Sequence, residues 1–173
     1  MEKFNQKQLI IMCGPSGSGK STWIKKHLAS FQGYTKMVSR DEIRFSMLKD
    51  DEDYFAHEKE VYNKFIKEIK DGLINCDTTI ADATHLNEAS RTKLLRSLGE
   101  NLKNIQVIII VIKPSLQTCL AQNEMREGRS RVPKGQVRRL YYSFTKPSLE
   151  EGFDEIWTYK DYKYEIETKE VDK

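Results

Sequence analysis

Residues 8–21 read QLIIMCGPSGSGKS, and the rest of the fold can be worked out from this stretch. Its first six residues are mostly apolar and predict a buried strand, whereas residues 21–30 have the composition of a helix. Between them, residues 14–21 fit the pattern GxxxxGK(S/T) in the strand-to-helix context that this motif requires. A Gly-rich turn without a ligand is the simpler alternative, but it does not explain why the whole eight-residue motif is matched between a strand and a helix. The sequence therefore predicts a site for a nucleoside triphosphate.

The spacing within residues 14–21 has a chemical reason. Glycines allow successive backbone N–H groups to point toward one anion, and the helix N-terminus adds partial positive charge. We expect Lys20 to reach the β- and γ-phosphates and the Ser21 hydroxyl to bind Mg²⁺. The predicted ATP-binding residues of this segment are Gly14, Ser16, Gly17, Ser18, Gly19, Lys20, Ser21 and Thr22.

Apolar runs alternate with helical segments along the whole chain. Strands are predicted at 8–13, 35–39, 78–82, 105–112 and 153–159, and helices at 21–30, from 41, and at 54–74, 87–100, 115–126 and 134–144. This alternation predicts an α/β domain with a central, mostly parallel sheet in three layers. Together with the motif at residues 14–21 it indicates the P-loop NTPase/kinase fold, in which we expect a helical lid that carries arginines. We assign residues 1–160 to this domain, with the lid at about 115–145, and expect residues 161–173 to be a frayed acidic tail.

Composition excludes several other classes of protein. The chain has 173 residues, of which 38% are hydrophobic and 32% charged, with 4 Pro and 9 Gly, so collagen-like and Pro/Gly-rich disordered chains do not fit. The longest apolar run, 107–112, is far shorter than the roughly 18 residues of a membrane span. The three cysteines lie far apart and predict buried thiols in a reducing compartment. We therefore expect a cytoplasmic protein with no membrane partner.

Charge is distributed unevenly. Residues 121–146 contain seven Lys/Arg against two Glu, whereas residues 147–173 contain nine Asp/Glu against four Lys. A basic block of this kind indicates a surface that meets an anion. The alternative is a solvated helix face.

Two acidic residues follow predicted strands. Asp82 ends the 78–82 strand, where its carboxylate would lie beside the phosphate loop and serve Mg²⁺ directly or indirectly; the alternative is an ordinary turn Asp. His85 is interpreted as a loop histidine rather than a base. Asp41 follows the 35–39 strand and lies three residues before Arg44, so the two share a helix face. Asp41 could take the proton of an acceptor hydroxyl while Arg44 holds an anionic group beside it, although Asp41 alone also fits a helix N-cap.

Three arginines stand close together between two predicted helices, with Gly128 and Pro133 marking a turn. They would close over the triphosphate and offset the charge on the transferred group; an exposed basic turn is the alternative. These residues are Arg126, Arg129 and Arg131.

These segments together resemble the kinase domain of polynucleotide 5′-kinases, especially the bacteriophage type. The resemblance covers roughly residues 8–145 and rests on GPSGSGKSTW at 14–23, SRDEIRFSM at 39–47, DATHLNEASR at 82–91 and the segment from Arg126 to Pro133. It implies ATP-dependent phosphorylation of a 5′-hydroxyl on DNA or RNA, with ATP and Mg²⁺ as cofactors. Nucleic-acid 5′ ends would be the substrate, and a ligase or phosphatase would act in the same repair pathway.

The resemblance also implies residue roles. Asp41 would be the general base, Arg44 the contact to the acceptor's 3′ phosphate, and Arg126 the lid arginine on the donor phosphates. The chain departs from the family at Gln122, where the lid helix can carry another arginine, and its lid is about one residue longer. The separate roles of Arg129 and Arg131 therefore stay open. The chain has no DxDGT motif, so 3′ end processing is not expected.

Three functions fit these observations. The first is a nucleic-acid 5′-hydroxyl kinase, with Asp41, Lys20 and Arg126 as catalytic residues. The second is a small-molecule kinase that phosphorylates a sugar, nucleoside or antibiotic hydroxyl with the same core. The third is an ATP-dependent switch or binding module; a GTPase is disfavoured because no NKxD-like stretch follows the apolar strand at 105–112.

Overall fold

The structure, a computed structural model, describes residues 6–31 and 33–170. Within these residues six strands form one sheet in the order β2-β3-β1-β4-β5-β6. The strands are β1 (Gln8–Cys13), β2 (Thr35–Ser39), β3 (Thr78–Asp82), β4 (Gln106–Ile112), β5 (Glu155–Lys160) and β6 (Lys163–Thr168). The first five are parallel and β6 is antiparallel to β5. This is the mostly parallel α/β sheet that the sequence predicts.

Six α-helices connect or follow these strands in the described chain. They are α1 (Lys20–His27), α2 (Arg40–Met47), α3 (Glu58–Asn75), α4 (Glu88–Leu98), α5 (Leu116–Glu124) and α6 (Lys134–Tyr142). Each overlaps a predicted helical segment, but α1 and α2 begin one residue earlier than predicted and α3 begins at Glu58 rather than near Tyr54. Residues 48–57 form turns and a loop, and this loop becomes part of the site. None of the described helices combines the length and the apolar composition that a membrane-spanning segment needs.

The core lies on both faces of the sheet. On one face, side chains from α2, α3 and α4, such as Phe65 and Leu94, pack against Leu9 and Ile109. On the other face, Trp23 and other residues of α1 pack against the opposite side chains of β1 and β4. Residues 107–112 are all buried, as expected for a central parallel strand covered by helices on both sides. The three cysteines are buried free thiols.

The expectation of a frayed tail at 161–173 is wrong for most of its length. Lys163–Thr168 forms β6, which pairs with β5 through a tight turn at Asp161 and Tyr162, both with positive φ. The Tyr164 hydroxyl accepts a hydrogen bond from Trp23 Nε1 at 2.7 Å, which ties the hairpin to α1. Residues 171–173 lie outside the described residues.

The topology brings the predicted site segments to one edge of the sheet. The phosphate loop follows β1, α2 follows β2, Asp82 ends β3, and the lid helices follow β4. Because β2, β3 and β1 are parallel neighbours, their carboxyl ends lie side by side, with Ser39 in register with Asp82. Ligands of open α/β sheets bind outside this edge.

Candidate active site

A single cleft of about 510 Å³ lies outside the carboxyl ends of these strands. Its walls come from the phosphate loop, the start of α2, the end of β3, the loop before α3, and the lid. Nine of the residues singled out in the sequence line it: Ser16, Lys20, Ser21, Asp41, Arg44, Asp82, Arg126, Arg129 and Arg131. Gly14, Gly17, Ser18 and Gly19 form the loop behind this surface, whereas Thr22 is exposed on α1 and does not line the cleft.

The phosphate loop requires glycine where it turns. Gly17 and Gly19 have φ of 79° and 95°, in the left-handed region that favours glycine. A Cβ at Gly17 would lie 2.3 Å from the Cys119 carbonyl oxygen of α5, so the loop packs directly on the lid helix. The Ser18 hydroxyl is buried and has no hydrogen-bond partner among the described residues. The loop thus has the backbone that an anion cradle needs.

Lys20 turns back over this loop. Its Nζ donates hydrogen bonds to the carbonyl oxygens of Gly14 at 2.8 Å and Pro15 at 3.0 Å. Burial lowers the pKa of Lys20, Asp82 opposes this shift, and Arg126 adds to it. A cation held in a poorly solvated cleft beside a second cation is stabilised by an anionic ligand. The local electrostatics therefore suit phosphate groups.

Asp82 faces the same cleft as the Ser21 hydroxyl. Burial raises the pKa of Asp82, and the nearby Lys20 ammonium opposes the shift. No cluster of three or more His, Cys, Asp or Glu side chains that could hold a metal occurs in the part of the chain that the structure describes. This donor set fits Mg²⁺, which is commonly bound through one or two protein oxygens together with substrate phosphates, rather than a metal that needs a complete protein cage.

His85 lies behind the phosphate loop. Its side chain is buried, and its Nδ1 is hydrogen-bonded to the Met12 carbonyl oxygen at 2.9 Å. Burial lowers the pKa of His85 to about 4, so the ring is neutral at physiological pH. It does not line the cleft, which agrees with its interpretation as a loop histidine.

The acceptor side of the cleft is centred on Asp41. Ser39 is the N-cap of α2, since its hydroxyl accepts a hydrogen bond from the Glu42 N–H, so Asp41 is not needed as a cap. The Asp41 side chain is 59% exposed and forms an ion pair with Arg44, whose side chain is only 7% exposed. The predicted pairing of these two residues on one helix face is therefore present.

Tyr54 and Glu58, which the sequence did not identify as site residues, complete this arrangement. The Tyr54 hydroxyl accepts a hydrogen bond from Arg44 Nη1 and donates one to Asp41 Oδ1, both at 2.8 Å. Burial and the nearby Asp41 raise the pKa of Tyr54, so the hydroxyl stays protonated and can donate. Asp41 Oδ1 is thus held by Arg44 and Tyr54, whereas Asp41 Oδ2 accepts no hydrogen bond from any described residue. We call Asp41, Arg44, Tyr54 and Glu58 the acceptor clamp.

Glu58 is the fourth member of the acceptor clamp. Its carboxylate accepts from Arg44 Nη2 at 2.9 Å and pairs with Arg40 as well. This ion pair draws the Arg40 side chain into the cleft wall. No spacing rule links Tyr54 or Glu58 to Asp41; only the fold of the loop before α3 brings them together.

The three lid arginines occupy different positions. Arg129 Nη2 crosses to the opposite wall and donates to the carbonyl oxygens of Asp50 and Glu52, the second at 3.0 Å. Arg131 Nε donates to the Arg126 carbonyl oxygen at 2.8 Å, within the lid itself. Arg129 thus connects the lid to the acceptor-side loop, while Arg126 is the lid arginine whose charge acts on Lys20 and Asp82.

Asn123 is a further residue that sequence reasoning missed. It is fully buried at the end of α5, and its side-chain amide makes two hydrogen bonds to the backbone of Val132, at 2.7 and 3.0 Å. These bonds close the arginine-bearing turn into a loop of fixed shape. The available signal was its position four residues after Cys119, on the same face of α5 as this buried residue.

The fold and the cleft define a P-loop kinase. A family model described as an AAA domain matches residues 9–147, and the chain therefore belongs to this family of P-loop kinase domains. The chain is 25% identical over 157 residues to a protein of Autographa californica nuclear polyhedrosis virus that is named as a bifunctional polynucleotide kinase/RNA ligase. The match covers 82% of this chain and 21% of the viral protein, so the chain spans about a fifth of its relative's length.

Solved structures share the fold at low sequence identity. A chain of the Pnkp1/Rnl/Hen1 RNA repair complex superposes with a TM-score of 0.69 at 18% identity, over 82% of this chain and 45% of that chain. A gluconokinase from Sinorhizobium meliloti 1021 superposes with a TM-score of 0.51 at 16% identity, over 83% of this chain and 77% of that chain. These neighbours establish the fold, and their names differ: one belongs to an RNA repair complex and the other is a gluconokinase.

Proposed function

We propose that this P-loop kinase transfers the γ-phosphate of ATP to the 5′-hydroxyl end of a polynucleotide. The observation that carries the proposal is the acceptor clamp, which holds Asp41 Oδ1 and leaves Asp41 Oδ2 open in the same cleft as Lys20. A general base needs a free oxygen within reach of the acceptor proton and a fixed orientation. The match to a protein named as a polynucleotide kinase/RNA ligase supports the choice of acceptor.

The donor side binds and orients the triphosphate. The loop at residues 14–21 would surround the β- and γ-phosphates with backbone N–H groups, and Lys20 would leave its carbonyl partners to meet the phosphate oxygens. Arg126, Arg129 and Arg131 line the facing wall, where Arg126 would stabilise charge on the transferred group. The Ser21 hydroxyl and Asp82 would hold Mg²⁺ together with the phosphates, and the ion would supply charge neutralisation there.

On the acceptor side, Asp41 Oδ2 takes the proton of the 5′-hydroxyl as its oxygen attacks the γ-phosphorus. The bond from phosphorus to the bridging oxygen breaks, and ADP leaves. The first role of Arg44 is to hold the general base, Asp41, in a fixed orientation. Its further role, contact with the acceptor's 3′ phosphate, requires the guanidinium to exchange one of its present partners, because Asp41, Tyr54 and Glu58 occupy both terminal nitrogens.

The 5′-phosphate that this reaction makes is the group that a ligase joins. We therefore propose a nucleic-acid repair pathway in which a ligase, or a phosphatase that prepares the other end, acts with this kinase. The relative named as a kinase/ligase and the neighbour from an RNA repair complex support this partnership.

A small-molecule kinase is the second candidate, and the gluconokinase neighbour supports it because the two share a fold. The acceptor clamp suits any alcohol. The basic lid segment favours a polyanionic acceptor, since its positive charge faces the cleft through Arg126, Arg129 and Arg131.

A transfer assay separates the two candidates. Labelled γ-phosphate from ATP–Mg²⁺ is offered to a 5′-hydroxyl oligonucleotide, to the same strand already 5′-phosphorylated, and to gluconate and free nucleosides. We expect label on the 5′-hydroxyl strand alone, with an apparent affinity that falls steeply as salt rises. Label on gluconate or nucleosides but not on the strand would replace the polynucleotide proposal with the second candidate.

A further inference from the structure

An aromatic cluster borders the acceptor clamp. The rings of Tyr54 and Phe55 meet nearly perpendicularly with their centroids 4.8 Å apart, and Phe45 packs against Tyr54 at 6.1 Å. Phe55 lines the cleft and is 50% exposed, whereas Phe45 does not line it. A half-exposed phenylalanine at the mouth of a charged cleft has open apolar surface at the place where an acceptor enters.

Phe55 lies beside the proposed reacting group. The Arg44 guanidinium carbon is 6.0 Å from the Phe55 ring centroid and 4.4 Å from the Tyr54 ring centroid. The same guanidinium forms the ion pair with Asp41. A group that places a hydroxyl on Asp41 Oδ2 would therefore bring its next few atoms to the Phe55 ring. In a polynucleotide 5′ end, those atoms are the sugar and the base of the terminal nucleoside.

The loop that carries Phe55 is fixed by hydrogen bonds. The Phe55 N–H donates to Asp53 Oδ1 at 2.9 Å, and Glu52 Oε2 bonds both the Lys49 N–H and the His57 ring. Arg129 reaches across from the lid to carbonyl oxygens of this same loop. The ring is therefore presented on a defined backbone, between the base and the lid.

We propose that Phe55 stacks on the nucleobase of the acceptor's 5′-terminal nucleoside and makes the site selective for nucleoside ends over sugar acids. This inference rests on the proposed function and deepens it. Aromatic rings bind bases through their π-faces with little sequence preference, and Arg44 adds a cation at the edge of the same surface. A gluconate acceptor has no flat apolar part to cover the ring.

The test compares two acceptor strands that differ only at the 5′ end. One begins with an ordinary 5′-hydroxyl nucleoside, and the other begins with a 5′-hydroxyl tetrahydrofuran residue that lacks the base. The quantity measured is the ratio of kcat/KM for the two strands, for the wild-type chain and for Phe55→Ala, Phe55→Trp and Tyr142→Ala. Tyr142 is an exposed aromatic residue outside the cleft and serves as the matched control.

We expect the wild-type chain and Tyr142→Ala to prefer the base-bearing strand by about tenfold to a hundredfold, the range of base–aromatic stacking. Phe55→Trp keeps the preference because it keeps a ring. Phe55→Ala brings the ratio close to one, through loss of activity on the base-bearing strand.

Two results would overturn the inference, and they are distinguishable. An active kinase whose Phe55→Ala variant keeps the wild-type ratio would make Phe55 an ordinary surface residue and leave the proposed function intact. A wild-type chain that binds ATP but labels neither strand would remove the proposed function and this inference with it.

Discussion

The donor and acceptor sides of the cleft are built in different ways. The core of the donor side is one continuous segment, residues 14–21, whose backbone N–H groups would surround the phosphates, and its Gly17 and Gly19 have φ values that few other residues adopt. The acceptor side is assembled from side chains of α2, the loop before α3 and α3 itself, joined by hydrogen bonds among Asp41, Arg44, Tyr54 and Glu58. The first is local in sequence and the second is tertiary, so substitutions should affect them differently.

Among substitutions that leave the general base Asp41 in place, removing the Lys20 charge on the donor side should have the largest effect. We expect Lys20→Ala to lower kcat by about 10²–10³ with the fold intact, the usual loss when one preorganised donor to the transition state is removed. Lys26→Ala, at an exposed position of the same helix, is the matched control and should retain wild-type turnover. Near-wild-type turnover by Lys20→Ala would exclude its role at the phosphates.

Behind the phosphate loop of the donor side lies His85, a buried histidine that is neutral at physiological pH. The pKa of His85 is about 4 in the folded chain against an ordinary 6.5, so the unfolded state binds a proton first as the pH falls. Between pH 6.5 and 5 this linkage should lower the free energy of unfolding by about 1.5–2 kcal/mol. Denaturant unfolding at several pH values measures this change in the free energy of unfolding.

His85→Gln is the comparison for this prediction. Its amide can still donate to the Met12 carbonyl oxygen, but it does not titrate, so the pH dependence between 6.5 and 5 should flatten. An unchanged pH dependence in the variant would show that His85 is not the group responsible.

On the acceptor side, removing one of the groups that hold Asp41, rather than Asp41 itself, should cost less, because both Arg44 and Tyr54 hold Asp41 Oδ1. Tyr54→Phe removes one hydrogen bond to Asp41 and one from Arg44 but leaves the Asp41–Arg44 ion pair. We expect kcat to fall by about tenfold or less, with the KM for ATP unchanged. A rise in the KM for ATP without loss of kcat would mean that Tyr54 serves the donor side instead.

The sequence predicted the donor side better than the acceptor side, for physical reasons. The motif at residues 14–21 and the strand before it are contiguous, and the Asp41–Arg44 pair is close in sequence, so short-range rules identify both. Tyr54 and Glu58 meet Asp41 only because the chain turns at residues 48–57, and no short-range pattern encodes that contact.

Two other features of the structure were not predicted, because the sequence around them carries no recognisable local signal. The hairpin of β5 and β6 escaped prediction because its turn uses Asp161 and Tyr162 at positive φ instead of Asn-Gly or Asp-Gly. Arg129 was grouped with the other lid arginines because nothing in its neighbourhood indicates that it reaches the loop at Asp50 and Glu52. The mostly parallel sheet itself was predicted correctly, since the five parallel strands β1 to β5 lie in segments that the sequence marks as strands.

The most direct test of the account is single-turnover phosphate transfer to a 5′-hydroxyl oligonucleotide by Asp41→Asn, measured together with ATP affinity. Asn keeps the size of the side chain and an oxygen for Tyr54 and Arg44 but cannot take the proton. Glu42→Gln, the exposed neighbour on α2, is the control. We predict a loss of about 10²–10⁴ in the transfer rate, with wild-type ATP affinity. Transfer by Asp41→Asn at close to the wild-type rate would contradict it.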